Sequence, residues 1–233
     1  MFARLALPLF ALAGLVHAAF EPPLIEAARS QETSRIKELL RSANDVNVRA
    51  SDGSTALLWL AHWNEVEAAK LLVDAGADAN LANEYKTTPL SEACLNGSAE
   101  MVRLLLRSGA KANEPIATGE TPLMTCSKTG SDDAVRILLE YGANINAAEP
   151  SQGQTPLMWA AAERHANVIK ALIGAHADLN ARTNQGFAAI HFAARVGDVE
   201  SLKLFLAAGV DVNTLTKARG ANAQTTGYTP LLI

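Results

Sequence analysis

Apolar residues along this chain recur at helical spacing in short blocks, interrupted at regular intervals by polar and turn-forming residues. Val66, Leu71 and Leu72; Val102, Leu104 and Leu105; Val135, Ile137 and Leu138; Ile169, Leu172 and Ile173; and Leu202, Leu204 and Phe205 each mark one apolar helix face. A shorter block precedes each of them and opens on Thr-Pro-Leu or a variant of it. Threonine at a helix start accepts a hydrogen bond from a free backbone N–H, and proline in the first turn loses nothing, because its N–H would have been unpaired. Gly97, Gly130 and Gly197 stand where the first helix of a pair ends and Gly76, Gly109, Gly142 and Gly209 where the second ends, at positions that favour a left-handed residue. Asn64 takes that conformation cheaply and Arg164 less so, while His176 breaks the second series and marks a local weak point. The pattern predicts an all-α chain of paired helices.

The pairs are periodic. Thr55-Ala56-Leu57, Thr88-Pro89-Leu90, Thr121-Pro122-Leu123, Thr155-Pro156-Leu157, Ala188-Ala189-Ile190 and Thr229-Pro230-Leu231 begin at spacings of 33, 33, 34, 33 and 41 residues. Asparagines at 47, 80, 113, 146, 180 and 213 keep nearly the same step independently. Small residues follow each repeat start, among them Ala27 and Ala28, Ala93 and Cys94, Cys126 and Ser127, Ala160 and Ala161, and Ala193 and Ala194. They let neighbouring helices approach closely. One such unit cannot cover its own apolar face, so units must stack, and about three or more are needed for stability.

These segments resemble the ankyrin repeat, whose pattern runs Thr-Pro-Leu-His-x-Ala, a helix-ending glycine, a leucine-rich second helix and a Gly-Ala-Asp-x-Asn close. The resemblance covers residues 22–233 and implies an all-α ankyrin-repeat solenoid of stacked helix-turn-helix units with β-hairpin-like tips. The units are 22–54, 55–87, 88–120, 121–154, 155–187 and 188–228, with a truncated seventh at 229–233. The first is degenerate, as an N-terminal cap is. Because the apolar start of the seventh has no continuation, the chain is expected to be a fragment of a longer protein. The stretch 214–228 is an insertion expected to enlarge one loop at the tip edge, read either as harmless length variation or as a binding finger.

The N-terminus follows another rule. Leu5 to Val16 is almost wholly apolar, follows Arg4 and precedes His17, Ala18 and Ala19. A run of about twelve apolar residues is short for a bilayer-spanning helix, which needs roughly 20, so residues 1–18 read as a signal peptide cleaved after Ala18, with Ala19 as the alternative point. Export, periplasmic or secreted, and no membrane span after cleavage are the resulting expectations. The 20 basic residues nearly balance the 24 acidic ones, for a net charge of -4. That balance argues against an electrostatic grip on nucleic acid.

No catalytic chemistry is expected. His62, His165, His176 and His191 lack metal-ligand spacing, no phosphate-binding loop or nucleophile elbow is present, and acidic residues are read as a solvated face. Neither a catalytic residue, a metal site nor a cofactor is assigned. His191 falls at the family's Thr-Pro-Leu-His position, which implies a structural hydrogen bond near a tip. Cys94 and Cys126 tempt a disulfide, but stacked helices lie about 8 to 10 Å apart against a Cα limit of roughly 7 Å, so two buried free thiols are expected. Asn96-Gly97-Ser98 is a glycosylation sequon in an inter-helix turn, meaningful only in a eukaryotic secretory pathway.

The resemblance further implies that the concave face, built from tips and first-helix ends, binds a protein partner. On it fall Trp63, Tyr85, Phe187 and Arg195, expected as anchors because aromatic and arginine side chains dominate interface energy, with His62, Glu84, Lys86, Glu120 and Lys128 around them. Trp59 and Trp159 are expected to pack between units. The leading expectation is an exported, monomeric, non-catalytic protein-binding scaffold. The alternative is the adaptor portion of a larger exported enzyme or redox protein whose active domain lies beyond residue 233.

Overall fold

A computed structural model describes residues 21–42, 45–216 and 227–232. The expected signal peptide at 1–18 and most of the 214–228 insertion, residues 217–226, lie outside the described residues. Helix pairs follow one another along the chain: α1 (Pro23–Arg29) and α2 (Thr33–Arg41), α3 (Ala56–His62) and α4 (Val66–Asp74), α5 (Pro89–Leu95) and α6 (Ala99–Arg107). Then come α7 (Pro122–Thr129) and α8 (Asp132–Glu140), α9 (Pro156–Ala162) and α10 (Ala166–Gly174), and α11 (Ala189–Arg195) and α12 (Val199–Ala207). The first helices pack side by side in one row and the second helices in another. The core is therefore a continuous seam between the rows, refilled at every step by the next pair.

Local chemistry explains the helix starts. Thr55, Thr88 and Thr121 accept hydrogen bonds from the backbone N–H groups of Leu58, Ser91 and Met124. Thr155 makes no such side-chain bond. At Ala188, which has no oxygen to offer, that bond is absent, while the Ala188 N–H itself donates to His191 Nδ1 at 3.1 Å, as the Thr88 N–H does to Ser91 Oγ. Where the turn between paired helices needs a left-handed residue, the backbone adopts that conformation whatever stands there, with φ 84° at Gly130, 58° at Asn64 and 63° at Arg164. Arg164 incurs a cost of about 1–2 kcal/mol and meets it with a guanidinium hydrogen bond to the Val196 carbonyl of the next pair. His176 is likewise left-handed at φ 64°.

Three of the periodic asparagines, Asn47, Asn80 and Asn113, bridge successive pairs with both ends of the side-chain amide. Asn80 donates from Nδ2 to the Gly109 carbonyl at 3.0 Å and accepts at Oδ1 from the Lys111 N–H at 2.9 Å. Asn47 bridges Gly76 and Asp78 in the same way, and Asn113 bridges Gly142 and Asn144. One side chain thus satisfies the carbonyl end of the following second helix and the loop after it, groups that a helix terminus leaves without an intrahelical partner. Asn146 retains only the acceptor half, to the Asp178 N–H at 2.8 Å; its donation would fall on His176, where the glycine series breaks.

At the opposite edge the tips are closed hairpin-like turns. Backbone N–H groups of Ala50, Asn83, Ile116, Glu149, Thr183 and Thr216 donate to the carbonyls of Ser54, Thr87, Glu120, Gln154, Phe187 and Tyr228. Consecutive tips are tied together by Glu84 N–H to the Asp52 carbonyl, Ala117 N–H to that of Tyr85 and Asn184 N–H to that of Gln152. Among the described residues no strand forms, and the Arg49–Thr55 bridge is isolated.

The cysteines correct the sequence reading. Cys94 on α5 and Cys126 on α7 are joined by a disulfide, with Cα atoms 4.6 Å apart, and neither is a free thiol. The expectation compared helix axes with a limit that applies to Cα atoms. A Cα lies about 2.3 Å from its helix axis, so on facing surfaces of helices about 9 Å apart two Cα atoms come within about 4.5 Å. The small residues around them, Ala93 among them, are fully buried and permit that approach.

Two outcomes are expected. Asn80→Ala, which removes both bonds of one bridge, should destabilise the chain by about 1–2 kcal/mol, read from the urea midpoint. Thiol titration of the denatured, unreduced chain should detect no free thiol, and replacing both cysteines by alanine should cost about 3–4 kcal/mol, as expected for a loop of this length.

Candidate functional site

The residues expected to contact a partner lie on the tips and at the ends of the first helices. The first organising feature is a set of contacts between neighbouring first helices. The residue in the last turn of one helix meets the mid-helix residue of the next. Arg29 lies 4.8 Å over the Trp59 ring, His62 Nδ1 is 3.0 Å from Glu92 Oε2, and Lys128 lies 4.6 Å over the Trp159 ring. Trp59 and Trp159 are half-buried between units, as expected. His62 and Lys128, expected as partner contacts, are therefore already engaged in the stack. Leu95 holds the same position without a charge and is 59% exposed.

The remaining expected residues separate into three places. Trp63 follows His62 at the end of α3, with ring centroids 4.7 Å apart, and keeps 43% of its surface exposed. Glu84, Tyr85 and Lys86 crown one tip, with Tyr85 70% exposed. Lys86 takes φ 57°, which turns that tip. Glu120 is half-buried where its own carbonyl closes the next tip. Phe187 and Arg195 come together around a cleft of about 190 Å³, lined also by Gln152, Gln154, Thr183, Gln185, His191 and Phe192. There Phe187 is half-buried, packing edge-on to His191 and Phe192, and the Arg195 guanidinium lies 5.1 Å over the Phe192 ring.

Sequence reasoning missed Gln152 and Gln185 of this cleft, although the step that defines the repeats contains them: Gln152 and Gln185 are one period apart, as are the tip residues Gln154 and Phe187. It also missed Glu149, read as part of a solvated acidic face. Glu149 is buried and accepts hydrogen bonds from the N–H groups of Ser151, Gln152 and Gln154 and from Ser151 Oγ. Burial pushes its pKa up, but these donors together outweigh it and hold the carboxyl below its ordinary 4.5. The sequon is also constrained: Asn96 Nδ2, the atom a glycan would occupy, donates to the carbonyls of Ala61 and His62.

His191 has the structural role expected of it. It is buried, with Nδ1 accepting from Ala188 N–H and Nε2 directed at the Thr214 carbonyl at 3.0 Å. This arrangement requires the neutral ring protonated at Nε2. Burial pushes its pKa below the ordinary 6.5; the Thr214 carbonyl pulls the other way, and the nearby Arg182 guanidinium adds to the depression. His165 contacts another pair too, with Nε2 2.9 Å from the Lys128 carbonyl. Its ring occupies the space that a Cβ on Gly130 would need. Among the described residues, no group of three or more His, Cys, Asp or Glu side chains is arranged to hold a metal, and no helix is long and apolar enough to cross a membrane.

Comparison with known proteins agrees with this architecture. The family description of ankyrin repeats, in three copies, matches residues 24–116, 75–149, 112–183 and 147–216. The crystal structure of the human ASB11 ankyrin repeat domain superposes with a TM-score of 0.76 at 29% identity, covering 91% of this chain and 90% of that one. Neurogenic locus notch homolog protein 1 is 40% identical over 68 residues in Homo sapiens and 38% identical over 68 residues in Xenopus tropicalis. That match takes in 29% of this chain and 3% of those much longer relatives.

Because the folded form of His191 binds fewer protons than the unfolded chain below about pH 6.5, its contribution to stability is complete above that value and is lost as pH falls through the depressed folded pKa. Stability measured by urea unfolding should drop less between about pH 7.5 and 5.5 in His191→Gln than in the wild type. Equal drops would show that His191 does not titrate with folding.

Proposed function

The chain belongs to the ankyrin repeat family, and from that premise we propose that it is an exported, monomeric scaffold that binds a protein partner on its concave face. Ankyrin repeats are in general protein-interaction scaffolds, and the fold typically carries no catalysis. The observation that carries the reading is the exposure of Trp63 and Tyr85 on the face of tips and first-helix ends. Large rings held on rigid elements supply contact area at little conformational cost and are the usual anchors of such interfaces. His62 and Lys128 serve this surface by fixing the helices beneath it.

Export is supported by two independent features. The apolar run before Ala18 has the length and flanks of a signal peptide. The disulfide between Cys94 and Cys126 is a bond that oxidising compartments maintain and the cytosol does not.

Two measurements test the reading. N-terminal sequencing of the protein from the exported fraction should begin at Ala19; an intact Met1 on a cytosolic protein would refute export. In a pull-down from the same fraction, Trp63→Ala combined with Tyr85→Ala should reduce capture of the partner by tenfold or more, the loss of about 1.4 kcal/mol or more expected of anchors. Unchanged capture would remove the assignment of this face.

A further inference from the structure

We infer that the cleft between the fifth and sixth helix pairs recognises an acidic side chain followed or preceded by an apolar one in an extended segment of the partner. This rests on the protein-binding reading and specifies its chemistry. The argument begins with charge. Arg195 stands exposed at the rim, and among the described residues its guanidinium has no carboxylate partner. Arg182, next in sequence to the lining residue Thr183, donates to the carbonyls of Gly186 and Leu215 beside the Thr214 carbonyl that His191 faces. None of the residues lining the cleft is acidic, and the nearby Glu149 is spent on its own tip. A chain of net negative charge thus carries here a local positive site.

The polar lining fits the same ligand. The side-chain amides of Gln152, Gln154 and Gln185 have no hydrogen-bond partner among the described residues, and the three converge on the cleft from two successive tips. Each offers both a donor and an acceptor, as an extended peptide backbone requires. Phe187 and Phe192 form an apolar floor against which a neighbouring aliphatic or aromatic side chain packs. The Arg195 guanidinium, already held over the Phe192 ring, is oriented without further ordering to receive a carboxylate in a charge-assisted hydrogen bond. A few convergent polar groups around an apolar floor form the usual plan of a binding site.

The probe is an array of immobilised octapeptides in glycine-serine frames, each with one acidic, basic or neutral residue beside one apolar residue and no free C-terminal carboxylate, incubated with the full chain. Acidic-apolar peptides should retain the wild type about tenfold more than their basic or neutral counterparts, the scale of one charged hydrogen bond. Arg195→Glu should abolish that preference and Arg195→Lys should retain part of it, with folding of each checked by circular dichroism and unfolding midpoint. Gln185→Ala should weaken binding to the acidic peptides without changing their rank. No preference for acid, a preference for base, or an acidic preference that survives Arg195→Glu would overturn the inference. The two readings fail separately: if the Trp63 and Tyr85 variant loses its partner while the array shows no acidic preference, the cleft assignment falls and the concave face stands.

Discussion

A helix pair of this size has more apolar surface than it can fold over itself, and the surplus is covered only by the next pair. That dependence sets the distance between neighbours. Small side chains on the first helices bring α5 and α7 so close that a disulfide spans them, with Cα atoms 4.6 Å apart. Once that spacing is imposed, every other regular feature of the molecule becomes a way of satisfying polar groups across the same step. The asparagine bridges meet the carbonyl ends of the second helices, and backbone hydrogen bonds join consecutive tips.

The same spacing explains why candidate binding residues differ in what they are free to do. A side chain in the last turn of one first helix lies beside the middle of the next, so a basic side chain or an imidazole there finds a ring or a carboxylate before it finds a partner protein. Arg29, His62 and Lys128 are held in that way. Trp63 and Tyr85 keep 43% and 70% of their surface exposed. The functional face is thus what remains after the stack has taken the side chains it needs, and its rigidity comes from those that were taken. That rigidity limits the ordering cost of recognition.

Irregularities concentrate toward the C-terminal half. His176 stands where the second helices otherwise end in glycine, and the asparagine bridge ahead of it keeps only one of its two bonds. Ala188 lacks a capping oxygen, and His191 accepts from the Ala188 N–H while reaching the next tip with its other nitrogen. The extra residue in the tip at 149–154 is stabilised by a buried carboxylate rather than by the shorter turns used elsewhere. The last two of these departures border the cleft that the glutamines line.

The period, the helix ends and the stacking of pairs were legible in the residues alone, because each is fixed by short-range chemistry: apolar spacing, capping oxygens, left-handed turns and a repeat that cannot close on itself. The structural role of His191 was legible only through the resemblance to the family. The bond between Cys94 and Cys126, the burial of Glu149, the engagement of His62 and Lys128 and the meeting of Phe187 with Arg195 were not legible in the sequence. Each depends on the separation and facing of groups in different turns or different helices, which spacing along the chain does not encode. A repeat pattern states which side chains return to equivalent positions; the distance between helix axes and the direction of each Cα–Cβ bond decide which of them touch.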